Sequence, residues 1–128
     1  IAYGKGTFFT PTSDHLDNLI AKAKILMQEN LNNSYTGENV ASELGISYSR
    51  FRKAFKEYTG LAPKQYVQEL RIAKAKQLLL NTTLNCQQIG FETGFETPSF
   101  FHATFKKQTG ISPAEYRKAT QGIKQNNK

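Results

Sequence analysis

Ser49, Arg52, Lys53 and Lys56 recur at i, i+3, i+4 and i+7. On a helix this spacing gathers one hydroxyl and three cations into a single stripe. Such a stripe binds anions: it can hold phosphate oxygens and, with enough reach, the polar edges of nucleic-acid bases. A helix used this way must be locked in place by its other side. The sequence supplies that side, because Phe51, Ala54, Phe55 and Tyr58 fall on the opposite face. The bland alternative is an amphipathic surface helix whose lysines are merely solvated.

The surrounding residues bound this helix and place it. Ser47 is an N-cap type for a helix from Tyr48 to about Thr59, and Gly60 ends it. A short helix precedes it, with Val40, Ala41 and Leu44 on one side and Gly45 closing it. Further upstream, Leu16, Leu19, Ile20, Ala23 and Leu26/Met27 trace the apolar stripe of a helix. That helix runs from a cap at Ser13 or Asp14 to about Asn30, where "NLNNSYTG" breaks it. Downstream, Pro63 opens a long helix through "YVQELRIAKAKQLLL" to about Leu80. Short helix, glycine turn and second helix is the order of a helix-turn-helix, whose second helix enters the major groove of DNA.

The phrase is repeated. "GISYSRFRKAFKEYTG" (45–60) returns as "GFETPSFFHATFKKQTG" (94–110), in a second round that begins at Asn85. Ile89 and Gly90 match Val40 and Ala41, and Gly94 and Phe95 match Gly45 and Ile46, all at an offset of 49. The offset then becomes 50. Phe101, Phe105, Thr109-Gly110, Pro113 and Tyr116 match Phe51, Phe55, Thr59-Gly60, Pro63 and Tyr66. One extra residue in a turn explains the change and shifts neither helical face. "SPAE" (112–115) is a capping box with Pro just inside it. One amphipathic basic helix argues weakly for DNA binding; two copies with the same turn argue strongly.

Composition narrows the function. A chain of 128 residues is one compact domain or two very small ones. Its net charge of +7 suggests an anionic partner, although a merely soluble basic protein would share it. The distribution favours a binding face. Eight Lys/Arg and two Glu lie between Gly45 and Leu80, whereas Asn85–Lys118 holds four Lys/Arg and three Glu. The single Cys86 forms no internal disulfide, and two histidines, His15 and His102, assemble no metal cluster. No stretch approaches the ~20 apolar residues of a membrane span, and no basic-then-apolar leader opens the chain. No membrane partner and a cytoplasmic location are the expectations. The chain opens on Ile1, as a fragment of a longer protein or a processed chain would. Residues 1–13 read as a linker or the end of a preceding domain, with Phe8 and Phe9 packing on something.

These phrases, with "ELRIAKAKQLL" between them and "IGFETGFETPSFFHATFKKQTGISPAEYR" at the end, resemble the DNA-binding domain of AraC-type (AraC/XylS) bacterial transcription regulators. The signature is carried by Ile89, Gly90, Gly94-Phe95, Phe101, Phe105-Lys106-Lys107, Gly110, Pro113 and Tyr116-Arg117. The likeness runs from about Leu16 to Arg117. It implies an all-α fold of about seven helices: two helix-turn-helix subdomains, 14–62 and 82–118, joined by a linker helix, 63–81, with a polar tail at 119–128. A linker of about 18 residues spans ~27 Å, close to the ~34 Å between successive major grooves. The implied partners are a double-stranded DNA operator and RNA polymerase, with the effector and dimerisation region on another domain and no cofactor.

Carried over by position, the resemblance makes Ser49, Arg52 and Lys53 base or near-base contacts, and Tyr48, Arg50 and Lys56 phosphate contacts. In the second copy Ser99, His102 and Ala103 stand at the base-reading places, with Lys106 as a phosphate contact. The second copy departs from a strong reader, because Ala103 offers no more than contact with a thymine methyl. It is expected mostly to grip the backbone.

His102 reads equally as a donor to phosphate or guanine and as a solvated histidine. Cys86, at a helix start, is either an activated nucleophile or a buried structural residue, and the second reading is the simpler. Phe100 stands where Arg50 does and is expected to pack on the linker helix. Arg71 is expected to bond a helix C-terminus and so pin the two subdomains. Two other classes stand beside a DNA-binding regulator: a basic module for protein or RNA, and an enzyme. The scarcity of His and Cys and the lack of a phosphate-cradling loop leave the enzyme little room.

Overall fold

The structure, a computed structural model, describes residues 13–32 and 34–126, with side-chain surroundings given for 15–32 and 34–121. These residues form seven helices and no strand: α1 (Ser13–Glu29), α2 (Gly37–Leu44), α3 (Tyr48–Thr59), α4 (Pro63–Asn81), α5 (Cys86–Glu92), α6 (Pro98–Thr109) and α7 (Pro113–Asn126). Two compact units divide the chain. The reading of residues 1–13, including Phe8 and Phe9, falls outside the described residues except at Ser13, the first residue of α1. A cap from the Ser13 or Asp14 side chain also lies outside them. The stretch expected as a polar tail from 119 is helical through Asn126.

The first unit takes the chain to Asn30 and then Tyr35–Val67. The apolar stripe of α1 buries Ile20, Ala23 and Met27, α2 contributes Val40 and Ala41, and α3 contributes Phe51, Ala54 and Phe55. The Phe55 ring meets Phe51 at 5.5 Å and the edge of Tyr66 at 5.1 Å. Tyr58, expected on the buried face, is 40% exposed, at the margin of the stripe formed by Phe51, Ala54 and Phe55. The starts of α2 and α3 satisfy part of their free N–H groups locally. Thr36 and Asn39 form a capping box at α2, and the Ser47 hydroxyl accepts from the Arg50 N–H at 3.2 Å at α3.

The second unit takes Leu31–Ser34 and the chain from Gln68 onward. Its core joins Ile72, Ala75 and Leu79 of α4, Ile89 of α5, Phe95 of the turn, and Phe101 and Phe105 of α6; Leu78, Leu84, Cys86 and Tyr116 pack against it. Cys86 is therefore half-buried packing, as its simpler reading had it. The copying reaches fine detail. Phe105 meets Phe101 at 5.8 Å and Tyr116 at 5.4 Å, and the Thr109 hydroxyl donates to the Phe105 carbonyl at 2.8 Å, as Thr59 does to Phe55.

The extra residue lies in the α5–α6 turn. Gly45 and Ile46 lead directly to the Ser47 cap, whereas Gly94 and Phe95 are followed by Glu96 before the Thr97 cap. Gly94 has φ +98°, and a Cβ placed on it would lie 2.0 Å from the Leu31 carbonyl oxygen. Only glycine fits there, both for its backbone angles and for space. Arg71 donates to the same Leu31 carbonyl at 2.8 Å and to that of Asn32 at 3.2 Å, just beyond the end of α1. Its guanidinium also sits 5.9 Å from the centroid of the Phe95 ring. Burial lowers the Arg71 pKa and the carboxylate of Glu96 opposes that shift.

Candidate nucleic-acid interface

The core fixes which sides of α3 and α6 face outward. In α3 the buried Phe51, Ala54 and Phe55 turn Ser49, Arg52, Lys53 and Lys56 to the opposite, exposed side. Arg50 is exposed on the flank, and Tyr48 is 39% exposed at the first turn. The Tyr48 ring lies over the start of α2, where a Cβ on Gly37 would come 3.0 Å from its Cε1. None of the Ser49, Arg50, Arg52, Lys53 or Lys56 side chains is held by a hydrogen bond or ion pair to another described residue. Their donors stay available to an external anion, at the cost of leaving several cations side by side.

In α6 the buried Phe101, Thr104 and Phe105 turn Ser99, His102, Ala103 and Lys106 outward, so every predicted residue of the second copy is exposed. Lys107 joins Lys106 in the last turn. Phe100 is 44% exposed, and its ring meets the Phe95 ring at 5.7 Å and 64°.

The charges of the basic stretch do not all serve one face. Arg50, Arg52, Lys53 and Lys56 belong to α3, whereas Lys64, Arg71, Lys74 and Lys76 belong to α4. Arg71 is committed to the Leu31 and Asn32 carbonyls. Arg117, counted by sequence with the basic residues of the second copy, is likewise committed: it donates to Leu79 O at 3.0 Å and Thr82 O at 3.1 Å, at the end of α4. Cations near a helix C-terminus satisfy its last carbonyls.

Sequence reasoning missed one residue that shapes the field. Glu115 closes the α7 capping box, accepting from the Ser112 N–H at 2.9 Å. That backbone bond, then the Ser112 hydroxyl, and then the charges of Lys106 and His102 hold its carboxyl below its ordinary pKa. A fixed negative charge thus stands beside two candidate contacts of α6. The signal was present in "SPAE", but the motif indicates only a cap and not what the cap faces. Among the described residues no group of three or more His, Cys, Asp or Glu is placed to hold a metal ion. No helix among them is long and apolar enough to cross a membrane.

Comparison with known proteins agrees with this architecture. A family model described as a helix-turn-helix domain matches residues 40–119. The HTH-type transcriptional regulator ArgR of Pseudomonas aeruginosa is 30% identical over 103 residues, which are 80% of this chain and 31% of that regulator. The chain thus spans about a third of that relative's length. A transcriptional regulator from Chromobacterium violaceum, described as AraC-type DNA-binding-domain-containing, superposes with a TM-score of 0.75 at 30% identity, covering 82% of this chain and 94% of the other. The DNA-binding domain of the global transcriptional factor AdpA, solved with a target DNA, superposes with a TM-score of 0.77 at 28% identity, covering 81% and 94%. With its paired helix-turn-helix units, its linker helix and these matches, the chain belongs to the AraC-type helix-turn-helix DNA-binding domains.

Proposed function

We propose that the chain binds double-stranded DNA sequence-specifically, placing α3 and α6 in two successive major grooves of one operator. The observation that carries this reading is the outward face of α3, whose cations have no partner among the described residues, opposite an apolar face of Phe51, Ala54 and Phe55. The similarity to a domain solved on its target DNA supports it. Ser49, Arg52 and Lys53 select bases, while Tyr48, Arg50, Lys56 and Lys106 hold phosphates. Ser99, His102 and Ala103 face the second groove. Residues 14–62 and 82–118 act as the two reading subdomains, with 63–81 as the link between them.

The chain is a binding module and not an enzyme, acting in the cytoplasm as the DNA-binding part of a larger transcription regulator that contacts RNA polymerase. A longer parent protein fits the fraction of ArgR that this chain spans, and would carry the effector and dimerisation region. Selection of bound duplexes from a random DNA pool tests the reading. A two-part consensus with half-sites about one helical turn apart is expected. Enrichment of no sequence, with charge-driven binding to any polyanion, would favour a non-specific basic module.

A further inference from the structure

We propose that α6 reads thymine by its methyl group: Ala103 and the exposed edge of Phe100 pack against C5-methyl groups in the major groove. This rests on the DNA-binding reading above and names what the second unit recognises.

The two helices present the same positions with different chemistry. Ser49, Arg50, Arg52, Lys53 and Lys56 of α3 correspond at an offset of 50 to Ser99, Phe100, His102, Ala103 and Lys106 of α6. Cations at two of the five positions are replaced by a phenyl ring and a methyl. Ala103 lies opposite the buried Phe101 and Phe105, at the outward centre of the helix. A methyl there has no hydrogen bond to offer. Among the groups displayed in the major groove, the thymine C5-methyl is the apolar one.

Phe100 completes the surface. A phenyl ring 44% exposed on a reading helix offers apolar surface that burial against another apolar group would stabilise. It is also braced, since its contact with Phe95, itself 2% exposed, keeps it from folding away. A braced ring beside an outward methyl is an apolar patch between the Ser99 hydroxyl and the Lys106 and Lys107 ammonium groups. The two lysines suit phosphates at the border of a groove, which leaves Ser99 and the apolar patch turned toward base edges.

The test uses a duplex selected by the protein, in which each thymine is replaced in turn by deoxyuridine, so that only the methyl is lost. Affinity is read by fluorescence anisotropy at fixed salt. One or two thymines in one half of the site should each cost about fourfold, the equivalent of ~0.8 kcal/mol for one buried methyl-sized group. In Ala103→Gly one of these positions should lose its thymine-over-deoxyuridine preference, and in Phe100→Ala the other. Comparing the two duplexes within each variant cancels any general loss from a weakened helix. Ala103→Lys, which restores the residue type of α3 and keeps a good helix former, should move the preference from thymine towards guanine. If every deoxyuridine duplex bound like its thymine parent, in a protein that still selects a sequence, methyl reading would be wrong and DNA recognition would stand. A methyl preference indifferent to all three variants would equally overturn it. A protein that enriched no sequence would remove both readings together.

Discussion

Gln65 and Glu115 hold the same place in two copies of one cap: Gln65 Oε1 accepts from the Ala62 N–H at 3.2 Å, and Glu115 Oε1 accepts from the Ser112 N–H at 2.9 Å. The backbone bond is the same, but the charge is not. The first copy closes its last helix with a neutral amide. The second uses a carboxylate whose charge acts on Lys106 and His102, at the outward face of α6. The two units therefore differ in electrostatics as well as in reading residues.

Glu115→Gln should strengthen DNA binding about two- to threefold at low salt, within the range of an exposed charge interaction. The gain should shrink as salt rises and screening sets in. Titrations of a labelled operator at two ionic strengths would show this, and an unchanged low-salt affinity would count against the second unit's charge being limiting.

The same residue gives a stability signature. Folding lowers the Glu115 carboxyl below its unfolded pKa, so the contribution is complete above the unfolded value and is lost as pH falls through the folded one. Glu115→Gln should therefore flatten the fall of Tm as pH drops through and below the ordinary carboxylate range. Parallel wild-type and variant slopes in thermal melts would show that the cap does not titrate.

Arg52→Ala or Lys53→Ala should relax preference at one or two base pairs in one half of the site, by about 1–3 kcal/mol each. Lys106→Ala should weaken binding about equally on all sequences. Neutralising about six phosphates gives log K a slope near −5 against log[salt], and Lys106→Ala should bring it nearer zero by about one. The asymmetry would be refuted by His102→Ala altering base preference as strongly as Arg52→Ala.

Gly45 and Gly94 should separate in a substitution experiment. Both have positive φ, but a Cβ on Gly45 meets nothing within 4 Å, while one on Gly94 meets Leu31 O at 2.0 Å. Gly45→Ala should cost about 1–2 kcal/mol, the price of a left-handed L-residue. Gly94→Ala should cost roughly 2–5 kcal/mol, because overpacking adds to strain, and Gly94→Val should be worse. Equal shifts in chemical denaturation would mean that the Leu31 carbonyl moves aside freely.

Arg117→Ala should lower stability by about 1–3 kcal/mol, since it leaves the Leu79 and Thr82 carbonyls without their donor. Its salt slope for DNA should match the wild type. A slope reduced by about one would reassign Arg117 to a phosphate contact.

Much of this architecture was legible because the chain states it twice. Cap residues and apolar spacing placed α3 at Tyr48–Thr59, and the repeat located the second copy. The outward residues followed, since a helix with one buried stripe fixes its other side. What stayed hidden depends on contacts distant in sequence. Arg117 reads as one more surface cation until the end of α4 is seen beside it. Glu115 reads as a cap until His102 and Lys106 are found near it. Tyr58 continues the apolar spacing and is nonetheless 40% exposed. Periodicity records which side of a helix is apolar, but not how deeply each residue on that side is buried.

Glu96, the residue that makes the second turn longer than the first, has Arg71 depending on its charge. Its carboxylate favours the charge of a half-buried Arg71, which in turn holds the Leu31 and Asn32 carbonyls. Deleting Glu96 would restore the symmetry of the duplicated turns and, in the same step, remove counter-charge from a cation that burial already disfavours. The longer turn leaves both helical faces in register yet supplies a charge that the shorter one has no place for, so the two copies of the motif are not interchangeable parts.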